Sequence, residues 1–247
     1  MKRTLALVLS VIMTFTLVAC GKGDNAKVNE GADSSTNNTT VSVENDANDS
    51  NDANDSNDSK DTSLSIDSIK NAAETDGSLF EYTDVDGGIS ITGFEGSDEI
   101  VVIPSSIDGK DVVSIGENAF INNDTMKAVK VSDMVQILES SSFLNCTELE
   151  VFVSGAAVKK IGMYTFNGCT KLHEVELNDG LETLDGLCFA LTNLTEIEIP
   201  SSVTEINYPF TVNYDDHYIT VIAESGSTAE QYVNEKGEEY HLIFQAK

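Results

Sequence analysis

Basic residues are scarce in this sequence: 14 Lys and Arg stand against 42 Asp and Glu, so the net charge is −28 over 247 residues. Residues 76–247 alone carry 30 acidic and 8 basic residues, a net charge of −22. A surface with this balance repels phosphate backbones and anionic lipid headgroups. The composition therefore argues against nucleic acid as a partner and is compatible with basic proteins, glycans or cations.

Residues that carry chemistry are also few. The three histidines, at 173, 217 and 241, are far apart, and no two cysteines have the close spacing of a zinc site. The sequence contains no nucleophile elbow, phosphate-binding loop or paired metal motif. We therefore predict no enzyme activity, no cofactor and no metal centre, although catalytic groups that meet only in the folded chain leave no local motif.

Long apolar runs are missing except at the N-terminus, where Leu5 to Ala19 follow the basic pair Lys2 and Arg3. This run is too short for a comfortable membrane span. It ends in "LVAC" at 17–20, which resembles a bacterial lipobox, the motif in which the cysteine is acylated and becomes the new N-terminus. We predict a lipoprotein signal peptide over 1–20, export to the cell surface, and a lipid anchor on Cys20 that holds the chain at a membrane. An ordinary secretion signal or an uncleaved anchor with a chance cysteine is the alternative.

Asn, Asp, Ser and Thr dominate the next segment, in which "ANDSND" occurs at 47–52 and again at 53–58. Such a composition offers too little apolar surface to offset the entropy of ordering the chain. The sequence therefore predicts a disordered acidic tether over 21–75, about 35 Å from end to end for a flexible coil of some forty residues. The regular aspartates could also indicate a calcium-binding repeat, but its glycines and apolar anchors are missing.

A fixed period dominates the remaining residues, 76–247. Phenylalanine recurs at spacings of 23, 23, 23 and 21 residues, at positions 120, 143, 166, 189 and 210. Three further columns keep the same register: Ile115, Leu138, Ile161, Leu184 and Ile206; Met126, Leu149, Leu172 and Leu194; Val129, Phe152, Val175 and Ile197. A period of 20–30 residues indicates stacked coils that bury their apolar sides against one another.

Each unit contains two short extended pieces. "LHEVEL" (172–177) and "LTEIEI" (194–199) alternate apolar and polar residues, as half-buried strands do. The prediction is a mainly β solenoid of about five coils of 22–23 residues with a parallel sheet. A β-hairpin with "DGG" at its turn, within 81–94, caps the front. A short helix that opens at Ser227 with Glu230 three residues on, and stops at Gly237, caps the back.

These columns resemble the BspA-like, treponemal-type leucine-rich repeat. The match includes "VVSIGENAF" (112–120), "VKKIGMYTFNGCTKLHEVEL" (158–177) and "LTEIEIPSSVTEI" (194–206). The resemblance implies the leucine-rich repeat fold and a surface or secreted binding role, in some proteins adhesion. Asn123 and Thr192 replace the cysteine of the turn, and "TVNYDDHY" (211–218) departs from the pattern, so the last coil is expected to be irregular.

The cysteines after the leader are predicted to be structural. Cys146 and Cys169 occupy the same position in successive coils, about 5 Å apart, which is within disulfide reach on distance alone. In-register side chains point the same way, so we favour two small buried thiols over a strained bond. Cys188 takes the small-residue position before each Phe and is expected to fill the core there.

The predicted binding surface is the outward face of the strands that begin after Met126, Leu149, Leu172 and Leu194. Its two columns are Ala128, Val151, Glu174 and Glu196, and Lys130, Val153, Glu176 and Glu198. One hypothesis is that this face, together with Tyr208, Tyr214 and Tyr218, contacts a cationic patch or a glycan. The alternative is a solvated sheet surface without a partner. Whether it recruits calcium is left open.

Two functions remain from the sequence. The first is a lipid-anchored, monomeric surface module for binding or adhesion to a host or matrix protein or glycan. The second is a passive structural or accessory component of the cell envelope without a host ligand.

Overall fold

The computed structural model describes residues 64–211 and 217–247. The predicted signal peptide, Cys20 and tether residues 21–63 lie outside the described residues, as does Tyr214. The elements run in the order α1 (Ile66–Lys70), a 3-10 turn (Gly77–Leu79), β1 (Phe80–Val85), β2 (Gly88–Phe94), β3 (Ile100–Val102), β4 (Ser106–Ile107), β5 (Lys110–Ile115), β6 (Ala128–Lys130), β7 (Ile137–Leu138), β8 (Val151–Val153), β9 (Lys160–Ile161), β10 (Glu174–Glu176), β11 (Thr183–Leu184), β12 (Glu196–Glu198), β13 (Glu205–Ile206), β14 (Ile219–Ala223), α2 (Thr228–Tyr240) and β15 (Leu242–Ala246).

The described chain is the predicted β solenoid. One side is formed by β2, β5, β7, β9, β11 and β13, which pair in parallel in that order. The other side, here called the strand face, consists of a four-stranded sheet in the order β10-β8-β6-β3 and a three-stranded sheet in the order β12-β14-β15. Five of these seven strands belong to the regular coils that the Phe spacing predicts. The other two, β3 and β15, add one turn at each end.

Stacked phenylalanine rings form the centre of the core. The rings of the five periodic phenylalanines are almost fully buried. Their centroids follow one another at 4.8, 5.4, 5.5 and 6.2 Å with nearly parallel planes. The other apolar columns surround this stack, so the interior is one continuous cluster along the solenoid. The periodic pattern in the sequence is therefore the pattern of core contacts between neighbouring coils.

The turn that carries each phenylalanine has left-handed backbone conformation two residues before the ring and, in four coils, two residues after it. Positive φ angles occur before the ring at Asn118, Ser141, Tyr164, Leu187 and Tyr208, and after it at Asn122, Asn145, Gly168 and Leu191. This conformation is unfavourable for most L-residues. Backbone hydrogen bonds between adjacent turns offset the cost: the N–H of Phe143 donates to the carbonyl of Thr165 (3.0 Å), and the N–H of Phe166 donates to that of Cys188 (2.8 Å).

The cysteines are free thiols within the core, as predicted. The Sγ of Cys146 donates to the carbonyl oxygen of Phe120 (3.1 Å), and that of Cys169 donates to the carbonyl of Phe143 (3.2 Å). Each thiol thus bonds to the backbone of the preceding coil. Burial raises the pKa of the Cys169 and Cys188 thiols well above 9.0, so both stay protonated at neutral pH.

Both predicted caps are present, with one correction. The front cap is the antiparallel hairpin of β1 and β2, and Gly87 takes a positive φ at its turn. In the back cap, the Ser227 side chain accepts from the Glu230 N–H, as predicted. The helix does not stop at Gly237: it continues to Tyr240, and His241 in the left-handed region ends it. A Cβ at position 237 would lie 2.9 Å from the carbonyl oxygen of Leu242, so the glycine allows β15 to pack closely against α2.

Candidate binding groove on the strand face

The register of the strands defines two outward columns on the strand face. The first column contains Ile100, Ala128, Val151 and Glu174, then Glu196, Thr220 and Ile243. The second contains Val102, Lys130, Val153 and Glu176, then Glu198, Ile222 and Gln245. The face therefore changes from apolar at the front to acidic in the middle, in the order that the sequence predicts.

The apolar part of this face is covered, which corrects the prediction that Val153 belongs to an exposed binding surface. Val153 is 2% exposed, because the helix α1 lies across β6, β8 and β10. Ile69 of α1 is fully buried against Ala128, Val151 and Val153 in an apolar cluster separate from the main core. Burying one isoleucine in this way contributes about 2 kcal/mol.

The same contact corrects the predicted boundary of the tether. Residues 64–75 were expected to be disordered, but α1 packs on the strand face and the residues after it bond to the backbone near β3. After α1, the N–H of Thr75 donates to the carbonyl of Val102 (2.9 Å), and the N–H of Val102 donates to the Thr75 hydroxyl (3.0 Å). The Glu74 carboxylate accepts from the N–H of Ser105 (3.0 Å). Residues 64–75 are therefore part of the folded solenoid domain.

Lys130 faces α1 instead of a free surface. Its Nζ donates to the carbonyl oxygen of Lys70 at the end of the helix (2.9 Å). The Lys70 ammonium in turn lies 2.6 Å from the Glu176 carboxylate. The hydrogen bond to Glu176 raises the pKa of Lys70 above its usual value of 10.5. Lys130 and Glu176 are therefore both engaged by the segment that covers the apolar part of the face.

The strand face has a seam between β10 and β12. These neighbouring strands lie side by side without ladder pairing. In the described residues, one backbone bond crosses just before the strands, from the Asn193 N–H to the Leu172 carbonyl (2.9 Å). Like charges directly opposite each other on neighbouring strands disfavour close pairing. The two glutamates of β10 and the two of β12 line the two sides of this seam.

A groove of about 520 Å³ opens at this seam. The four glutamates and Asp179 form its acidic walls, and Ile66 of α1 lies at its edge. Its lining also includes the apolar side chains Val175, Leu177, Ile197 and Ile222. Val175 and Leu177 are only partly buried, because they pack against the main core and also line the groove. The groove thus combines carboxylates with reachable apolar side chains.

The charges in the groove are only partly compensated. Lys70 pairs with Glu176, and Lys247 pairs with Glu198. Among the described residues, Glu174 and Glu196 form no ion pair. Lysines elsewhere on the solenoid join acids of adjacent coils: Lys127 pairs with Glu99, Lys159 with Glu182, Lys160 with Asp185 and Lys171 with Glu148. The seam therefore carries more carboxylates than the two lysines pair with.

Other predicted neighbours of the face lie elsewhere or at its rim. Tyr208 follows β13 on the other side of the solenoid and packs against Tyr232 and Tyr240. Tyr218 stacks on His241 with a centroid distance of 4.9 Å. In the described part of the chain no group of three or more His, Cys, Asp or Glu side chains is arranged to hold a metal ion. The described residues also contain no helix that is both long and apolar enough to cross a membrane.

Sequence reasoning missed the residues of α1. Ile66, Ile69 and Lys70 lie in the segment that the composition assigned to the tether. The signal that could have found them is local: Leu64, Ile66 and Ile69 are aliphatic residues in an otherwise polar stretch. Ser65 precedes Ile66 as a helix cap, and its side chain accepts from the Ser68 N–H.

Comparison with known proteins agrees with this architecture. Residues 94–213 match the family model of the BspA type leucine-rich repeat region in six copies. A crystal structure of a T. pallidum leucine-rich repeat protein is similar, with 26% identity and a TM-score of 0.56, over 61% of this chain and 71% of that one. No curated protein matches the chain.

Two further solved structures are more distant. A leucine-rich repeat protein from Bacteroides ovatus is 23% identical over 59% of this chain, with a TM-score of 0.47. A leucine rich cell surface protein from Faecalibacterium prausnitzii is 22% identical over 61%, with a TM-score of 0.36. This chain covers 48% and 54% of those two proteins. The repeat columns, the stacked coils and the family match together identify residues 94–213 as a BspA type leucine-rich repeat region.

Proposed function

We propose that this protein is a surface-displayed binding module whose groove at the β10–β12 seam holds a cationic segment of a partner protein. The observation that carries the proposal is the pair Glu174 and Glu196, two carboxylates without ion-pair partners among the described residues, beside reachable apolar side chains. Lys70 already forms an ion pair of this kind with the neighbouring Glu176. A partner segment that carries lysines would form further ion pairs of this kind with Glu174 and Glu196.

Attachment to a membrane through Cys20 is part of this proposal. The lipobox-like "LVAC" supports it, and the low positive charge of residues 76–247 disfavours direct adsorption to anionic lipid. Incorporation of labelled palmitate into the wild-type chain and its loss in Cys20→Ser is the expected result. Equal labelling of both chains would contradict the anchor.

The groove is tested with Glu174→Gln/Glu196→Gln in the full chain. The probes are immobilised matrix proteins, mucins and a glycan array, together with a lysine-rich peptide. We expect binding of the peptide, and of basic matrix proteins, to weaken about five- to tenfold, because two charge interactions of about 0.5 kcal/mol or more are lost. Raising the salt concentration should weaken wild-type binding in the same direction.

The matched control is Glu117→Gln/Glu238→Gln, which removes two exposed carboxylates away from the groove. The control should bind like the wild type. If both double variants weaken binding equally, net charge and not the groove is responsible, and the site is wrong. Binding confined to the organism's own envelope material would instead favour the structural role, and binding to neutral glycans without salt dependence would contradict a cationic partner.

A further inference from the structure

Helix α1 occupies the strand face in the way that a bound peptide would. It rests on the outward side of β6, β8 and β10, and its apolar contacts form a cluster separate from the main core. Ile69 packs on the valines, Ile66 lies at the edge of the groove, and Lys70 pairs with Glu176. Two aliphatic residues three positions apart, followed by a lysine, make these contacts.

The repeat does not require the apolar row beneath α1, which consists of Ala128, Val151 and Val153. Val151 and Val153 stand at outward positions that the next two coils fill with glutamate. The solenoid therefore tolerates polar residues at these positions. Without α1, the row formed with Ala128 would be an exposed apolar strip, and such strips mark interaction sites.

The attachment of α1 is small and local. The helix has five residues, too few to be stable in water without tertiary contacts. Ile69 is its one fully buried side chain, and Asp67 and Ser68 face solvent. A foreign segment with the same pattern could make every one of these contacts.

The chain after α1 is held independently. The hydrogen bonds of Thr75 with Val102 and of Glu74 with Ser105 fix the chain to the front edge of the solenoid. Asn71 and Ala73, between α1 and these bonds, are exposed. Release of α1 therefore breaks its contacts with the strand face, including those of Lys130 and Glu176, but leaves these two attachments of the chain intact.

We propose that the apolar part of the strand face is a peptide-binding site that the chain's own residues 64–70 occupy in the free protein. Its ligand is a partner polypeptide segment with two aliphatic side chains three residues apart, followed by a lysine. The segment displaces α1, packs on Ala128, Val151 and Val153, and pairs its lysine with Glu176. This exchange does not use Glu174 or Glu196, so it survives the loss of both.

The test uses a fluorescent peptide with the sequence of residues 64–73, LSIDSIKNAA, and the full chain. In the variant Ile69→Asp, α1 should dock poorly, and the peptide should bind at least tenfold more tightly than to the wild-type chain, measured by fluorescence anisotropy. A peptide carrying Asp at the position of Ile69 is the matched control and should not bind. Equal binding of LSIDSIKNAA to both chains would overturn the proposal.

A second test reverses the charges of Glu176 and of the peptide's lysine, and so checks the binding site through its ion pair. In Ile69→Asp/Glu176→Lys, binding of LSIDSIKNAA should fall, and a peptide with Glu at the position of Lys70 should bind more tightly than LSIDSIKNAA does. A cooperative urea transition should show that both variants keep the folded solenoid, since Ile69 lies outside the main core. If reversing the charge does not reverse the preference, the peptide binds elsewhere.

Discussion

The stack of phenylalanine rings makes a quantitative prediction for Phe166→Ala. The ring is completely buried, and its centroid lies 5.4 Å from Phe143, 5.5 Å from Phe189 and 4.6 Å from Phe152. Truncating a buried phenylalanine costs about 3–5 kcal/mol, and the lost ring contacts place this site near the upper end. We therefore expect the free energy of unfolding to fall by about 5 kcal/mol. Domains of ordinary stability have about 5–15 kcal/mol in total, so the variant is expected to be marginally folded.

Position along the stack sharpens this prediction. Phe210 ends the column and stacks on one ring, that of Phe189, at 6.2 Å. Phe210→Ala should therefore cost about 2 kcal/mol less than Phe166→Ala, because fewer ring contacts are lost. The transition should be followed in urea by far-UV circular dichroism, since the sequence contains no tryptophan.

The matched control is Met163→Ala, three residues before Phe166 and 45% exposed. It should change the free energy of unfolding by about 0.5 kcal/mol or less. A loss below about 2 kcal/mol for Phe166→Ala would refute the view that this stack supports the solenoid. An equal cost at Phe166 and Phe210 would refute the reasoning from ring contacts.

Two further predictions concern the core. Gly155→Ala should destabilise the protein by about 2 kcal/mol or more in urea unfolding, because its Cβ would lie 2.0 Å from the carbonyl oxygen of Ser132; Gly186→Ala, with a nearest atom at 3.4 Å, should cost less. Burial raises the pKa of the Cys188 thiol and of the Tyr232 hydroxyl in the folded state, so their contribution to stability is complete below their unfolded pKa values and is lost as pH rises. Urea unfolding at pH 8, 9 and 10 should therefore show falling stability above about pH 9, and Cys188 should resist Ellman's reagent until the chain unfolds. A flat profile over this range, or rapid labelling of the native thiol, would contradict this.

The turn around each phenylalanine shows how far a sequence column can predict conformation. Asn122, Asn145 and Gly168 share one column, and these residue types tolerate a positive φ. Tyr164 and Leu187 adopt the same conformation with no such signal. Hydrogen bonds to the next coil hold them there, so the conformation depends on stacking and not on the residue type.

The C-terminal glycine illustrates a similar limit. Gly237 is a helix terminator by local rules, yet α2 continues through it to Tyr240. Its lack of a Cβ is used for the close approach of Leu242, which follows the helix and belongs to β15. The local rule predicted a helix end at this glycine. The glycine is needed instead for a tertiary contact with Leu242, which the local sequence does not show.

The sequence by itself determined the coil, its period and its core, because each contact in the stack joins residues about 23 positions apart and so repeats along the chain. It also determined the order of apolar and acidic positions on the strand face. Only the tertiary structure decided which of these positions are accessible. Lys130 and Val153 are covered by Lys70 and Ile69, which lie about 60 or more residues earlier in a segment outside the repeat. Because this contact occurs once, it produces no periodic pattern in the sequence.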